Sequence, residues 1–224
     1  MENNEIQYTR ENISNYFSGI ISSNQDYSGK ALKHFKKVKS LKHIHSKFNI
    51  EYIRTLVLVE KFDEALSFGK SVWDEEELFF EADLLLGLDH LIKKDYINSE
   101  KYFERLNEVS GYNLFFKDFI GNILIAWSKA FGGNKEESLE FFQKIPKPYQ
   151  NIVKTQLAFF NCYYDHNDTQ ETFHKLVEDE NYNFARYNFF LANYLLHQNQ
   201  NTEAKKVIKN SRKKYFSNLL INQS

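Results

Sequence analysis

A small residue recurs about every 34 positions along this chain of 224: Ala31, Ala65, Ser99, Ser138, Thr172 and Ala204, at gaps of 34, 34, 39, 34 and 32. Twelve positions upstream of each lies a second small or apolar residue: Gly19, Ile53, Gly87, Ala126, Phe160 and Ala192. A period of this size with helical sequence inside it marks a helix–turn–helix array, in which each unit stacks on its neighbours. The apolar residue four positions after the small one, as in Ala31 to Phe35 or Ser99 to Phe103, shares its helical face. The pattern predicts helix pairs over 12–24 and 28–40, 47–59 and 63–73, 78–93 and 97–107, 115–131 and 135–145, 151–165 and 169–178, and 183–198 and 202–213. Small side chains on both members of a pair let antiparallel helices approach closely, and the aromatics fill the space around them.

Composition narrows the class further. With 21 Phe, 14 Tyr and 2 Trp the chain can build a core, and with 8 Gly and 2 Pro it lacks the turn residues of an all-β fold. A net charge of −1 provides no global field for nucleic acid. The single Cys162 excludes an intrachain disulfide and reads as a small buried filler. Residues 1–25 lack the charged-then-apolar order of a cleaved signal, and no 18-residue apolar run provides a transmembrane segment. A cytoplasmic protein is the expectation. There is no Gly-rich phosphate loop, nucleophile elbow or zinc-ligand helix. His34, His43 and His45 read as surface residues, and Asp165, His166 and Asp168 as a turn. Neither catalytic residues, nor a metal site, nor a cofactor is expected.

The phrases Gly19, Tyr27, Ala31, Phe35 and Gly87, Tyr96, Ser99, Phe103 resemble the tetratricopeptide repeat, and the likeness runs from about residue 13 to 210. More narrowly, Tyr16-Phe17-Ser18-Gly19, and Ala126-Trp127 before Gly132-Gly133, are similar to bacterial members of that family whose partners it does not specify. The resemblance implies an all-α superhelix: a right-handed, TPR-like α-solenoid of about six helix pairs over residues 13–213. It would follow an N-terminal extension (1–12) and precede a C-terminal capping helix or tail (214–224). Two departures stand out. The proline that usually closes each repeat is missing except for Pro146 and Pro148 after the fourth unit, and the bulky aromatic opening each first helix is replaced by Asn15, Asn49, Asp83, Asn122, Gln156 and Asn188. Extra residues before the fourth unit predict a longer loop near Glu108 to Asn113 and a change of pitch there.

In that family the first helix of each pair lines the concave face, one, four and five positions after the upstream small residue. The resemblance therefore implies a partner-binding set that includes Arg54, Leu88, Leu91, Trp127, Phe131, Asn161, Tyr164 and Asn193, apolar at the centre and polar at the ends. An apolar groove with a Trp anchor suits a protein partner presenting a helix or an extended peptide. The same residues also suit burial as core. Lys47, Arg54, Asn161 and Asn193 do not reproduce the lysine and asparagine clamp of chaperone-binding members. The expected function is thus a non-enzymatic protein–protein interaction scaffold. Residues 30–47 hold seven lysines and no acid, the alternative being a nucleic-acid or anionic-surface binder using that face. Those lysines fall mainly on second helices, away from the concave face, which argues against nucleic acid. The apolar tail Tyr215 to Ile221 opens a third reading, a structural subunit that self-associates.

Overall fold

The computed structural model describes residues 9–108, 118–179 and 184–218. Among them are α1 (Arg10–Asn24), α2 (Ser28–Lys36), a 3-10 helix (Lys39–His43), α3 (Ser46–Leu58), α4 (Phe62–Val72), α5 (Phe80–Ile92) and α6 (Tyr96–Glu108). There follow α7 (Ile120–Phe131), α8 (Lys135–Gln143), a 3-10 turn (Lys147–Tyr149), α9 (Gln150–Tyr163), α10 (Thr169–Glu178), α11 (Ala185–His197) and α12 (Asn201–Lys214). Within the two units α1 packs on α2, α3 on α4, α5 on α6, α9 on α10 and α11 on α12, the paired all-α arrangement that the repeat predicts. The chain divides into two compact units, Met1–Ser138 and Leu139–Ser224. The expected long loop and pitch change fall on residues 109–117, outside the described residues, as do Leu219 to Ile221 of the apolar tail. Residues 215–218 form a turn after α12, with Asn218 N–H donating to the Tyr215 carbonyl.

Local chemistry sets the helix ends. Thr9 caps α1 by accepting from the Asn12 N–H at 3.1 Å, and His45 caps α3 through Nδ1, accepting from the Phe48 N–H at 3.2 Å. Asp63 and Glu64 open α4, and Arg212, Lys213 and Lys214 close α12, each matching the helix dipole. Helix α2 ends at Lys36, four residues before the predicted 40, and the chain tightens into the 3-10 helix. Lys33, Lys36, Lys37 and Lys39 stand three and four apart, and their repulsion disfavours a longer α-helix.

One backbone device closes all six helix pairs. Asp26, Glu60, Lys94, Gly133, Asp165 and Asn199 have positive φ, between 49° and 87°. In each case the next residue's N–H reaches the carbonyl five back: Tyr27 to Ser22, Lys61 to Leu56, Asp95 to His90, Asn134 to Lys129, His166 to Asn161 and Gln200 to Leu195. The left-handed residue itself donates three back, as Asp26 does to Ser23. Together these bonds form the Schellman motif, which satisfies the carbonyls orphaned at a helix end.

The turns correct the fifth unit. Measured from the left-handed residue, the buried small residue of the first helix lies seven positions back: Gly19, Ile53, Gly87, Ala126 and Ala192, and in α9 Ala158, not Phe160. The second-helix small residue lies five positions on in every pair but this one, where buried Thr169 lies four on. Thr172, the expected repeat residue, is only half-buried. From Thr169 the fully buried positions follow at Phe173 and Leu176, as Phe103 and Leu106 follow Ser99. One residue is missing from the turn. Elsewhere the small residue's N–H donates four back, but Thr169 donates three back to His166, and its hydroxyl also donates to that carbonyl at 2.6 Å.

Packing explains why the small residues are small. A Cβ on Gly19 would stand 2.4 Å from Cε1 of Phe35, and one on Gly87 2.4 Å from Cε1 of Phe103. The glycine thus makes room for the ring four residues beyond the small residue of the partner helix. Ser99 is buried and donates to the Gly87 carbonyl at 3.0 Å. The aromatics join one pair to the next. In the first unit Phe48 lies 5.9 Å from Phe35 and 5.5 Å from Tyr52, which lies 4.7 Å from Phe68. In the second, Phe159 lies 5.8 Å from Phe173 and 4.9 Å from Phe190. Phe48 and Tyr52 are stacked and the other pairs meet edge-on, and such pairs add about 0.5–1.5 kcal/mol each beyond area burial.

Four of the polar residues that stand where the family has an aromatic tie their first helices to the surroundings. Asn15 Oδ1 meets His34 Nδ1 at 3.0 Å, Asn49 donates to the Lys42 carbonyl, and Asn122 accepts from Asn107 at 3.0 Å. Asp83 is fully buried and accepts from Trp73 Nε1 at 2.7 Å, Arg105 Nε at 2.8 Å and the Phe79 N–H. Arg105 also donates to the carbonyls of Asp74, Glu75 and Glu77, strapping the loop between α4 and α5. Burial pushes the Asp83 pKa up, and its hydrogen bonds with Trp73 and Arg105 oppose the shift.

Candidate partner-binding groove

Helix α5 is apolar on two sides. Ala82, Leu86 and Gly87 face the core, while Leu84, Leu85, Leu88 and Ile92 face a groove of about 610 Å³. Its other walls are Ile53, Arg54 and Val57 of α3 and Phe62 and Leu66 of α4. An apolar stripe on a second side of a helix implies cover there as well as at the core. Yet Ile92 is 81% exposed and Phe62 53%. The groove lining carries no hydroxyl, thiol or imidazole, and its ionisable groups are Arg54, Glu81 and Asp89.

Fixed charges mark the two ends. Arg54 donates Nε (2.9 Å) and Nη2 (2.7 Å) to the buried Glu81 carboxylate, and Nη1 stands 3.5 Å from Glu51. Eight residues along α5, Asp89 accepts from Lys93 at 2.8 Å and Lys70 at 3.4 Å. The Lys93 hydrogen bond is the main influence lowering the Asp89 pKa, with smaller contributions from Lys70. At 1.5 Å per residue, these ends lie roughly 12 Å apart along the axis of α5.

Two of the eight expected contact residues, Arg54 and Leu88, line this groove. Leu91, on α5, is half-buried outside its lining. Trp127 and Phe131 sit on α7 with ring centres 5.3 Å apart, Phe131 being 6.4 Å from Tyr96. Asn161, Tyr164 and Asn193 belong to the second unit. There Asn161 donates to Thr172 at 3.2 Å, Tyr164 packs 4.8 Å from Phe160, and Asn193 donates to its own helix at Phe189. The corrected register moves the α9 equivalents of Leu88, Leu91 and Ile92 to Phe159, Cys162 and Tyr163. Asp165 is the left-handed residue of the turn read there from the sequence. Cys162 is half-buried rather than buried. Phe62 and Leu66, which the sequence analysis did not select, lie on a second helix. Phe62 is exposed and Leu66 half-buried, and the available signal was their apolar character at the start of a second helix, close to Leu58 in the sequence.

Among the described residues, no cluster of His, Cys, Asp and Glu is arranged to hold a metal ion, and no helix is long and apolar enough to cross a membrane. No protein-family model and no curated protein matches the sequence. Solved structures do match. A tetratricopeptide repeat protein of Parabacteroides merdae ATCC 43184 superposes with a TM-score of 0.64 at 16% identity, over 95% of this chain and 82% of that one. MamA from Desulfovibrio magneticus RS-1 gives 0.61 at 16% identity, over 78% and 98%. The APC/C Cut9–Hcn1 hetero-tetramer gives 0.57 at 14% identity, over 95% of this chain and 42% of the other. Paired helices, a repeating Schellman turn and these superpositions together give the chain the TPR-like α-solenoid fold.

Proposed function

We propose that the chain is a non-enzymatic interaction scaffold that seats an amphipathic helix of a protein partner in the α3–α5 groove. The observation that carries this reading is an apolar channel with charges at both ends, roughly 12 Å apart. Anchors at i, i+4 and i+7 of a helix span about 10.5 Å and match that length. Leu84, Leu88, Val57 and Phe62 would take the apolar face, and the Arg54–Glu81 and Asp89–lysine pairs would set its register. The likeness to structures that include a hetero-tetramer component supports a binding role over a catalytic one.

A panel of labelled amphipathic helical peptides, titrated by fluorescence anisotropy at low and high salt, tests the reading. Binding that changes little with salt is expected, because apolar burial is not screened. Ile92→Asp, at a mostly exposed position, should weaken it roughly tenfold or more while leaving the helical circular dichroism and melting temperature unchanged. Peptides that bind both proteins equally, or only at low salt, would overturn the groove assignment.

A further inference from the structure

The lysine-rich stretch builds a second site that shares no lining residue with the groove. The 3-10 helix after α2 brings Lys39 and Lys42 to a cavity of about 640 Å³, closed on the other side by Asp63, Glu64, Ser67, Phe68 and Ser71 of α4. Neither lysine forms an ion pair among the described residues, and Lys39 Nζ stands 5.6 Å from the centre of the Tyr52 ring. Tyr52 contributes to the cavity wall, is 1% exposed, and its hydroxyl has no hydrogen-bond partner. A buried hydroxyl in this state is costly, and an acceptor reaching it from the cavity would relieve that cost.

The donors select the ligand. Glu64 is held by Lys36 at 3.1 Å and by Lys61, so four lysines face two carboxylates here. The local field therefore favours an anion. Two ammonium groups and the hydroxyls of Tyr52, Ser40 and Ser67 line the cavity as donors, and a tetrahedral oxyanion, with several acceptor oxygens, is the ligand that matches them. Asp63 opposes any anion, which favours one of charge near −2 that engages both lysines at once. We propose that this cavity binds a phosphate group, free or carried as a monoester.

Thermal unfolding of the full chain tests this, with inorganic phosphate and phenyl phosphate as probes and sodium chloride of matched ionic strength as control. Phosphate should raise the melting temperature, and chloride should not, because only a ligand bound to the native state stabilises it by mass action. Lys39→Gln with Lys42→Gln should abolish the shift. Tyr52→Phe should melt at the same temperature as the wild type or higher without phosphate, since it removes the unsatisfied hydroxyl, and should bind phosphate roughly tenfold more weakly. A larger shift with phenyl phosphate assigns the site to a monoester, and equal shifts assign it to phosphate itself. An equal response to chloride, or undiminished phosphate binding by Tyr52→Phe and the double variant, would overturn the proposal.

Discussion

The third and fifth helix pairs perform the same packing task with different residues. In α5–α6 a glycine admits the Phe103 ring, Ser99 fills the helix crossing, and the position four before Gly87 is a buried aspartate bound to Arg105. In α9–α10 the glycine is Ala158, the serine is Thr169, and the position four before Ala158 is Lys154, exposed and paired with Asp179 at 3.1 Å. The fifth turn is also one residue shorter, yet it keeps the same left-handed cap and the same pair of hydrogen bonds. What the two pairs share is the backbone turn and the buried spacing that follows it; residue identity and the distance across the turn are free to vary.

The largest expected difference between them is electrostatic. Arg105→Met would leave the Asp83 carboxylate buried without its cation, at a cost of about 3–5 kcal/mol. The register-equivalent Lys154→Met removes an exposed pair and should cost no more than about 1 kcal/mol. Denaturant unfolding of the two variants measures both. The Arg105 variant should also acquire a pH dependence of defined sign. Because burial raises the folded pKa of Asp83, its contribution is fully present below the unfolded value, about 3.9, and is lost as pH rises through the folded pKa. Arg105 opposes that rise, so without it the loss of stability as pH rises above about 4 should steepen.

Next in size is the glycine. Gly87→Ala drives a Cβ into the fully buried Phe103 ring and should destabilise by about 1–3 kcal/mol, despite alanine's better helix propensity. A Phe103→Leu background should relieve much of that penalty. The smallest effect concerns the turn itself. Lys94 adopts φ 62°, which is unfavourable for a side chain with a Cβ. Lys94→Gly should therefore raise stability by a few tenths to about 1 kcal/mol, net of glycine's greater entropy when unfolded. A lower melting temperature would mean that the turn is not limited by its left-handed residue.

Most of the helices were legible because the small residues and aromatics carry a clear 3.6-residue rhythm, and where the predicted spans fall on described residues they match the helices to within a few residues. The fifth was misread for a specific reason. Thr169 and Thr172 are chemically identical and both sit near a polar turn, so period alone selected the one that kept the spacing near 34. Only the hydrogen bonds at His166 show which one is buried. Asn15, Asn49, Asp83 and Asn122 were visible as departures from the family pattern. Their partners, such as His34 and Arg105, lie 19 and 22 residues away, and no local rule links them. The groove was half legible for the same reason. Arg54 and Leu88 follow from first-helix register, whereas Phe62 and Leu66 come from a second helix and require the packing of α3 against α4 and α5.

The register also decides which side chains of α9 correspond to the groove residues of α5, so it is the point most in need of a direct test. Thr169→Leu and Thr172→Leu place the same side chain at the two competing positions, and thermal unfolding compares them. Overpacking at buried Thr169 should cost about 1–3 kcal/mol, while half-buried Thr172 should tolerate leucine to within about 0.5 kcal/mol. The reverse order, with Thr172→Leu the more damaging, would contradict the assigned register and the apolar set Phe159, Cys162 and Tyr163 that follows from it.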